Sequence, residues 1–160
     1  MLILTFIHLT ISGQEYHEKY QDYFGHSIEL NKDSTFRCEW HFDLMYEWAI
    51  GKWTKSDQTI VLKFIDVYDT LIRVGKQDSL VLSIDEKSNR IGEVEFISNA
   101  FISGGQYKQR FKDTFRKKGD RLYIVKENGR LNRSRQREIW PQRRFPFGYK
   151  KWPAYYKKIE

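Results

Sequence analysis

At 160 residues the chain is long enough for one domain and short for two. Hydrophobic residues at 40% and charged residues at 31% exclude a disordered polymer, and a single cysteine excludes a disulfide-built scaffold. The net charge of +7 is unevenly held: residues 1–107 carry 10 Lys/Arg against 16 Asp/Glu, whereas residues 108–160 carry 18 against 5. Such asymmetry points to an anionic partner for the C-terminal stretch, or to the acidic stretch folding against the basic one.

The chain opens on residues 2–11, which are apolar except for Thr5, His8 and Thr10, followed by Ser12 and Gly13. This pattern is that of a secretory signal peptide, with cleavage near Gly13–Gln14, so residues 1–13 are expected to leave and the protein to be exported, periplasmic or extracellular. The other reading is a buried first strand. The run is shorter than the roughly 20 residues that span a bilayer. Residues 14–23 place Tyr16, Tyr20 and Tyr23 at i, i+4, i+7 spacing, which predicts a short N-terminal amphipathic helix.

Strand signals dominate after that. Residues 27–30 end at the turn cluster Asn31-Lys32-Asp33-Ser34. Thr35–Phe42 alternates strictly, with Phe36, Cys38, Trp40 and Phe42 on one face and Arg37, Glu39 and His41 on the other. Residues 48–55 carry Ala49, Gly51 and Trp53, and Thr59–Ile65 is a dense β-branched run. Residues 70–74, 79–84, 91–97 and 107–116 each read as strands separated by polar turns, including Gly104-Gly105. Lys117-Lys118-Gly119-Asp120 predicts a hairpin into residues 121–126, and Asn128-Gly129 predicts another turn. Short strands at roughly 8–12 residue spacing favour a barrel or sandwich over βαβ units. The expected organisation is an all-β domain over residues 14–139, an antiparallel up-and-down meander forming a barrel or strongly curved sheet. An irregular, aromatic and basic tail over residues 140–160 packs on it.

Residues 27–40 and 51–62 carry a strand, an Asn/Asp-rich turn, an aromatic strand, then Gly-x-Trp and a polar turn before an apolar strand. The matching residues are Leu30, Asp33, Thr35, Phe36, Gly51, Trp53, Asp57 and Ile60. This pattern resembles a group of small exported, lipocalin-like proteins of Bacteroidetes-type bacteria. The resemblance implies a meander that closes on itself and carries no defined activity. Gly51-Lys52-Trp53 falls on about the third predicted strand, where lipocalins carry Gly-x-Trp on the first.

No Gly-x-Ser-x-Gly, phosphate-binding loop or dinucleotide fingerprint is present, so no cofactor is expected and an enzyme is the minority reading. Glu39, His41 and Asp43 share one strand face and could pair an acid with a base or hold a cation. The plainer reading is a solvated outer face. Cys38 shares parity with Phe36 and Trp40 and reads as a small core residue.

The C-terminal stretch is the distinctive one. Arg130, Arg133, Arg135, Arg137, Arg143 and Arg144 precede or interleave with Trp140, Phe145, Phe147, Tyr149, Trp152, Tyr155 and Tyr156. Cations among aromatic rings grip anionic groups. The candidate ligand-binding residues are Arg133, Arg135, Arg143, Arg144, Trp140, Tyr149 and Trp152. The expected partner is an anionic glycan, a lipid head group or an acidic protein, with nucleic acid disfavoured for an exported protein. The competing reading is a structural protein whose tail aromatics are core.

Overall fold

The computed structural model describes residues 17–137, 143–144 and 148–160. The expected leader at residues 1–13 lies outside them. Five antiparallel strands come first: β1 (Glu18–Gln21), β2 (His26–Leu30), β3 (Thr35–Phe42), β4 (Met45–Ser56) and β5 (Thr59–Ile65). Each pairs with the next in the chain. A first excursion then leaves the barrel as β6 (Tyr68–Ile72), β7 (Ser79–Leu82), β8 (Arg90–Gly92) and helix α1 (Glu93–Ser103), and ends in β9 (Gly104–Gln106), which pairs in parallel with the start of β4. The chain rejoins through a 3-10 turn (Lys108–Arg110) as β10 (Thr114–Lys118) and β11 (Arg121–Ile124), with β10 pairing β5. A second excursion is a hairpin arm: β12 (Arg135–Arg137) pairs β15 (Lys151–Pro153), and β13 (Arg143–Arg144) pairs β14 (Gly148–Tyr149) inside it. Finally β16 (Tyr155–Lys158) pairs with both β11 and β1 and closes an eight-stranded barrel.

Alternation decides what fills this barrel. Inward positions bring Tyr20, Ile28, Leu30, Phe36, Cys38, Trp40, Ala49, Ile60, Leu62, Phe115, Leu122 and Tyr156 into one buried cluster. Gly51 lies between Phe36 and Phe64 in register, and those rings meet edge to face above it with centroids 5.2 Å apart. An added Cβ there would run into the Lys63 carbonyl oxygen and the Phe36 ring, so two aromatics on flanking strands stand in for the missing side chain. Trp53, two residues on, donates its indole N–H to the Asn31 carbonyl at 3.0 Å and ties β4 to the β2–β3 turn. That turn forms as its residues dictate. Asp33 accepts from the Thr35 amide at 3.0 Å and from its hydroxyl at 2.6 Å, while Ser34 takes φ 65°.

The N-terminal helix expected over residues 14–23 is not formed by its described residues: Glu18–Gln21 is β1, and residues 14–16 lie outside the described residues. Its period failed as a guide because an acid points inward. Glu18 and Tyr20 share the inner face, and Glu18 is met there by the neighbouring Tyr20 hydroxyl and by Lys117 and Lys158, which lie far along the chain. Among the described residues the α-helix is elsewhere. Residues 91–97 alternate as Ile-Gly-Glu-Val-Glu-Phe-Ile, yet only Arg90–Gly92 is strand, and Glu93 starts α1 with two acids, Glu93 and Glu95, in its first turn. The helix ends at Gly104, φ 81°, where a Cβ would press the Tyr46 carbonyl oxygen at 2.8 Å. The expected strand at 107–116 is a 3-10 turn followed by β10 from Thr114.

The first excursion is docked on the outside of the barrel. Trp48 faces outward on β4 yet is fully buried, and its indole donates to the Ile84 carbonyl at 2.9 Å. Gln106 bridges excursion and barrel, donating to the Ile65 carbonyl at 2.8 Å and accepting from the Val67 amide at 3.0 Å. Among the described residues no helix is long and apolar enough to cross a membrane.

Candidate anion-binding groove

The barrel interior holds side chains where a lipocalin-like fold would hold a ligand. Tyr20, Phe36, Phe115 and Tyr156 are each no more than 4% exposed, and the Phe115 and Tyr156 rings meet edge to face at 5.6 Å. The mouth from which both excursions leave is also occupied. Arg110 lies 3.8 Å over the Trp40 ring and forks onto buried Glu47, with Nη2 to Oε1 at 2.8 Å. Beside it Asp22 accepts from the His26 amide at 2.9 Å and pairs its other oxygen with His26 Nδ1 at 2.8 Å. Cys38 is fully buried, and burial pushes its thiol up, which suits a core residue.

Glu39, His41 and Asp43 do not assemble a reactive group. Glu39 accepts from Arg37 at 2.7 Å and from the Tyr46 hydroxyl at 3.0 Å; burial favours its neutral form, but these bonds and the Arg37 charge hold its carboxyl below the usual range. His41 is 62% exposed at 3.8 Å from Glu39, and Asp43 sits in the β3–β4 turn at φ 53°. Among the described residues no group of three or more His, Cys, Asp and Glu could hold a metal ion.

The basic face is built by register. On β10, β11 and β16 the inward residues are Phe115, Lys117, Leu122 and Tyr156, which turns Arg116, Lys118, Arg121, Tyr123, Tyr155 and Lys157 outward. Tyr123 and Tyr155 are paired neighbours with ring centroids 5.5 Å apart, and the Arg121 guanidinium lies 4.7 Å over Tyr155. After β11 the chain turns at 126–130 and runs back, with Leu131 bridged to Val125 and the Asn132 amide donating to the Ile124 carbonyl at 2.7 Å. It then enters the arm, where Arg135 stands opposite Pro153 and Arg137 opposite Lys151. Alternation therefore puts Arg135, Arg137, Lys151 and Pro153 on one face and Gln136 and Trp152 on the other.

Where the arm meets the wall lies a groove of about 390 Å³ lined by Lys118, Tyr123, Leu131, Asn132, Arg133, Arg135, Pro153, Ala154 and Tyr155. Its floor is apolar and its rims are cationic. Among the described residues no carboxylate pairs with Lys118, Arg133, Arg135, Arg137 or Lys151, whereas Arg121 on the same wall has Asp120 at 3.6 Å. A larger hollow of about 650 Å³ at the barrel mouth carries mixed charge, with Lys112 and Lys126 beside Asp113 and Glu127.

The candidate residues divide. Arg133 and Arg135 line the groove. Tyr149 lies beneath the Arg137 guanidinium at 4.6 Å, and it is paired in register with Arg143 as Gly148 is with Arg144 at the inner hairpin. Trp152 faces away from the cationic face. It stacks on Tyr23 at 4.4 Å and 17°, with Lys150 3.6 Å over its ring, so it clamps the arm to the β1–β2 turn. Trp140 lies outside the described residues. Sequence reasoning missed Lys118, Tyr123, Tyr155 and Pro153, whose shared surface arises from pairing between strands distant in the chain. The outward parity of 121–126 against a basic hairpin loop was the signal that could have found the first two. Comparison with protein-family models, curated proteins and solved structures finds no match.

Proposed function

We propose that this protein is a non-enzymatic binding module of the cell envelope that takes an anionic partner in the groove between barrel wall and arm. The observation that carries this reading is the collection of exposed cations on one face, Lys118, Arg133, Arg135, Arg137 and Lys151, without carboxylate partners among the described residues. Cations left unpaired around an apolar floor keep their full charge for a ligand, and stacked guanidinium groups are already oriented for forked bonds to sulfate, phosphate or carboxylate. The apolar start of the chain supports export, and the packed interior favours a partner held outside the barrel over one held within.

The test compares Arg133→Glu/Arg135→Glu with Lys52→Glu/Lys63→Glu, an equal charge change on the β4–β5 wall, in binding to an immobilised sulfated polysaccharide. The groove variant is expected to lose binding and the control to keep it, with native binding weakening steeply as salt rises. Equal loss in both variants, or binding intact in the first, overturns the reading. In the second reading, a structural or interaction protein with a filled core, the groove variant binds no differently from the native protein.

A further inference from the structure

The groove does not end at its lining. Arg135 and Arg137 occupy alternate positions of β12, roughly 7 Å apart along the strand, and Lys151 stands across from Arg137 on β15. Behind them Lys118 and Arg133 flank the hollow itself. The cations thus form a row that begins against the barrel wall and runs out along the arm. A compact anion would meet the two or three at the wall, whereas a chain of charges would meet them all.

The rings along this row decide what kind of chain fits. Tyr155 has Arg121 4.7 Å over one face and Tyr123 against it at 5.5 Å, and Tyr149 has Arg137 4.6 Å over it. Tyr155 and Tyr149 each have one face taken by a guanidinium, which leaves fewer open platforms for nucleobases, each of which needs a free face to stack. The same rings offer phenol edges and hydroxyls beside guanidinium forks, a set suited to sugar hydroxyls interspersed with sulfate, phosphate or carboxylate. A flat lipid surface is matched less well by a hollow between two walls. Of the most exposed large apolar side chains, Val74, Leu80, Val94 and Phe101 belong to the other excursion and Leu44 to the β3–β4 turn, none of them to the groove.

We infer that the groove binds a linear anionic polysaccharide, one charged unit lodged between Lys118, Arg133 and Arg135 and the following units laid along Arg137 and Lys151. This rests on the anion-binding reading above and adds its ligand class. The experiment is calorimetric titration of the full chain with size-defined sulfated oligosaccharides from disaccharide to octasaccharide. Inorganic sulfate, single-stranded oligodeoxythymidylate of matched charge, and phosphatidylglycerol vesicles serve as comparators. Affinity is expected to climb about tenfold or more from disaccharide to hexasaccharide and then level, and to exceed that for the oligonucleotide and the vesicles. Arg137→Gln/Lys151→Gln should remove the gain with length, so that hexasaccharide binds no tighter than disaccharide, with the melting transition confirming the fold. Affinity independent of length, or tighter binding to oligonucleotide or vesicles, overturns the inference. If either occurs while Arg133→Glu/Arg135→Glu still abolishes binding, anion binding by the groove stands and only the ligand class falls.

Discussion

Replacing Glu18 by Gln removes the one charge that β1 places inside the barrel. The carboxylate is 6% exposed as a residue and accepts from Lys117 Nζ at 2.7 Å, Lys158 Nζ at 3.1 Å and the Tyr20 hydroxyl at 2.8 Å. Burial on its own would raise its pKa. The bonds from Lys117, Tyr20 and Lys158 outweigh that and hold it at about 2, against an ordinary value of 4.5. At about 1.4 kcal/mol for each pH unit, that gap makes ionised Glu18 worth about 3 kcal/mol of folding stability at neutral pH. The folded value is depressed, so the unfolded chain binds the extra proton. The contribution is therefore complete above about pH 4.5 and disappears as pH falls towards about 2. Urea unfolding of native protein and Glu18→Gln across that range isolates the group, because every other carboxylate cancels in the difference. The expected difference is about 3 kcal/mol at pH 7 and close to zero at pH 2. A difference that stays constant with pH would show that Glu18 contributes packing alone and would refute the argument.

Two further perturbations separate the parts of the molecule. Arg110→Ala strands the Glu47 carboxylate, 6% exposed, and should cost about 3–5 kcal/mol in urea unfolding, whereas Glu47→Gln/Arg110→Met should recover most of it because both charges go together. Trp152→Ala removes the stack on Tyr23 and should loosen the arm by about 1 kcal/mol, read as faster amide exchange in β12 and β15 with β3 and β4 unchanged. Parallel loss of protection in β3 and β4 would mean that arm and barrel open as one unit.

The strands most visible in the sequence are those whose inner face is plainly apolar. Phe36, Cys38 and Trp40 mark β3, and Ile60 and Leu62 mark β5, because water exclusion alone sets their parity. β1 escaped because Glu18 is stabilised by lysines from β10 and β16, a condition no local window contains. Helix α1 escaped because Val94 and Phe96 between glutamates imitate a strand, while Val94, Ile97 and Phe101, all substantially exposed, give no strong buried stripe. The basic, aromatic character of the C-terminal region was legible in its residues. Its division of labour was not. Trp152 and Arg135 lie on opposite faces of one hairpin, so one fastens the arm while the other faces the groove, and only the β12–β15 register distinguishes them. Residues 155–158, expected within an irregular tail, instead form the closing strand, since Tyr156 finds Leu122 beside it.

That closing strand has a consequence for how the chain acquires its shape. β1 emerges first among the barrel strands and must wait for β16, paired as Tyr20 with Lys158 and Gln21 with Lys157, before its second edge is covered. Every nascent length that stops short of Tyr155 leaves an open sheet with two raw edges, a state prone to pairing with other chains. Sequence-distant closure of this kind also slows folding, because loop entropy is lost before the contacts that repay it form. The polar outward residues Lys19, Gln21 and Lys157 then act as guards during that interval, keeping the two waiting edges soluble until they meet.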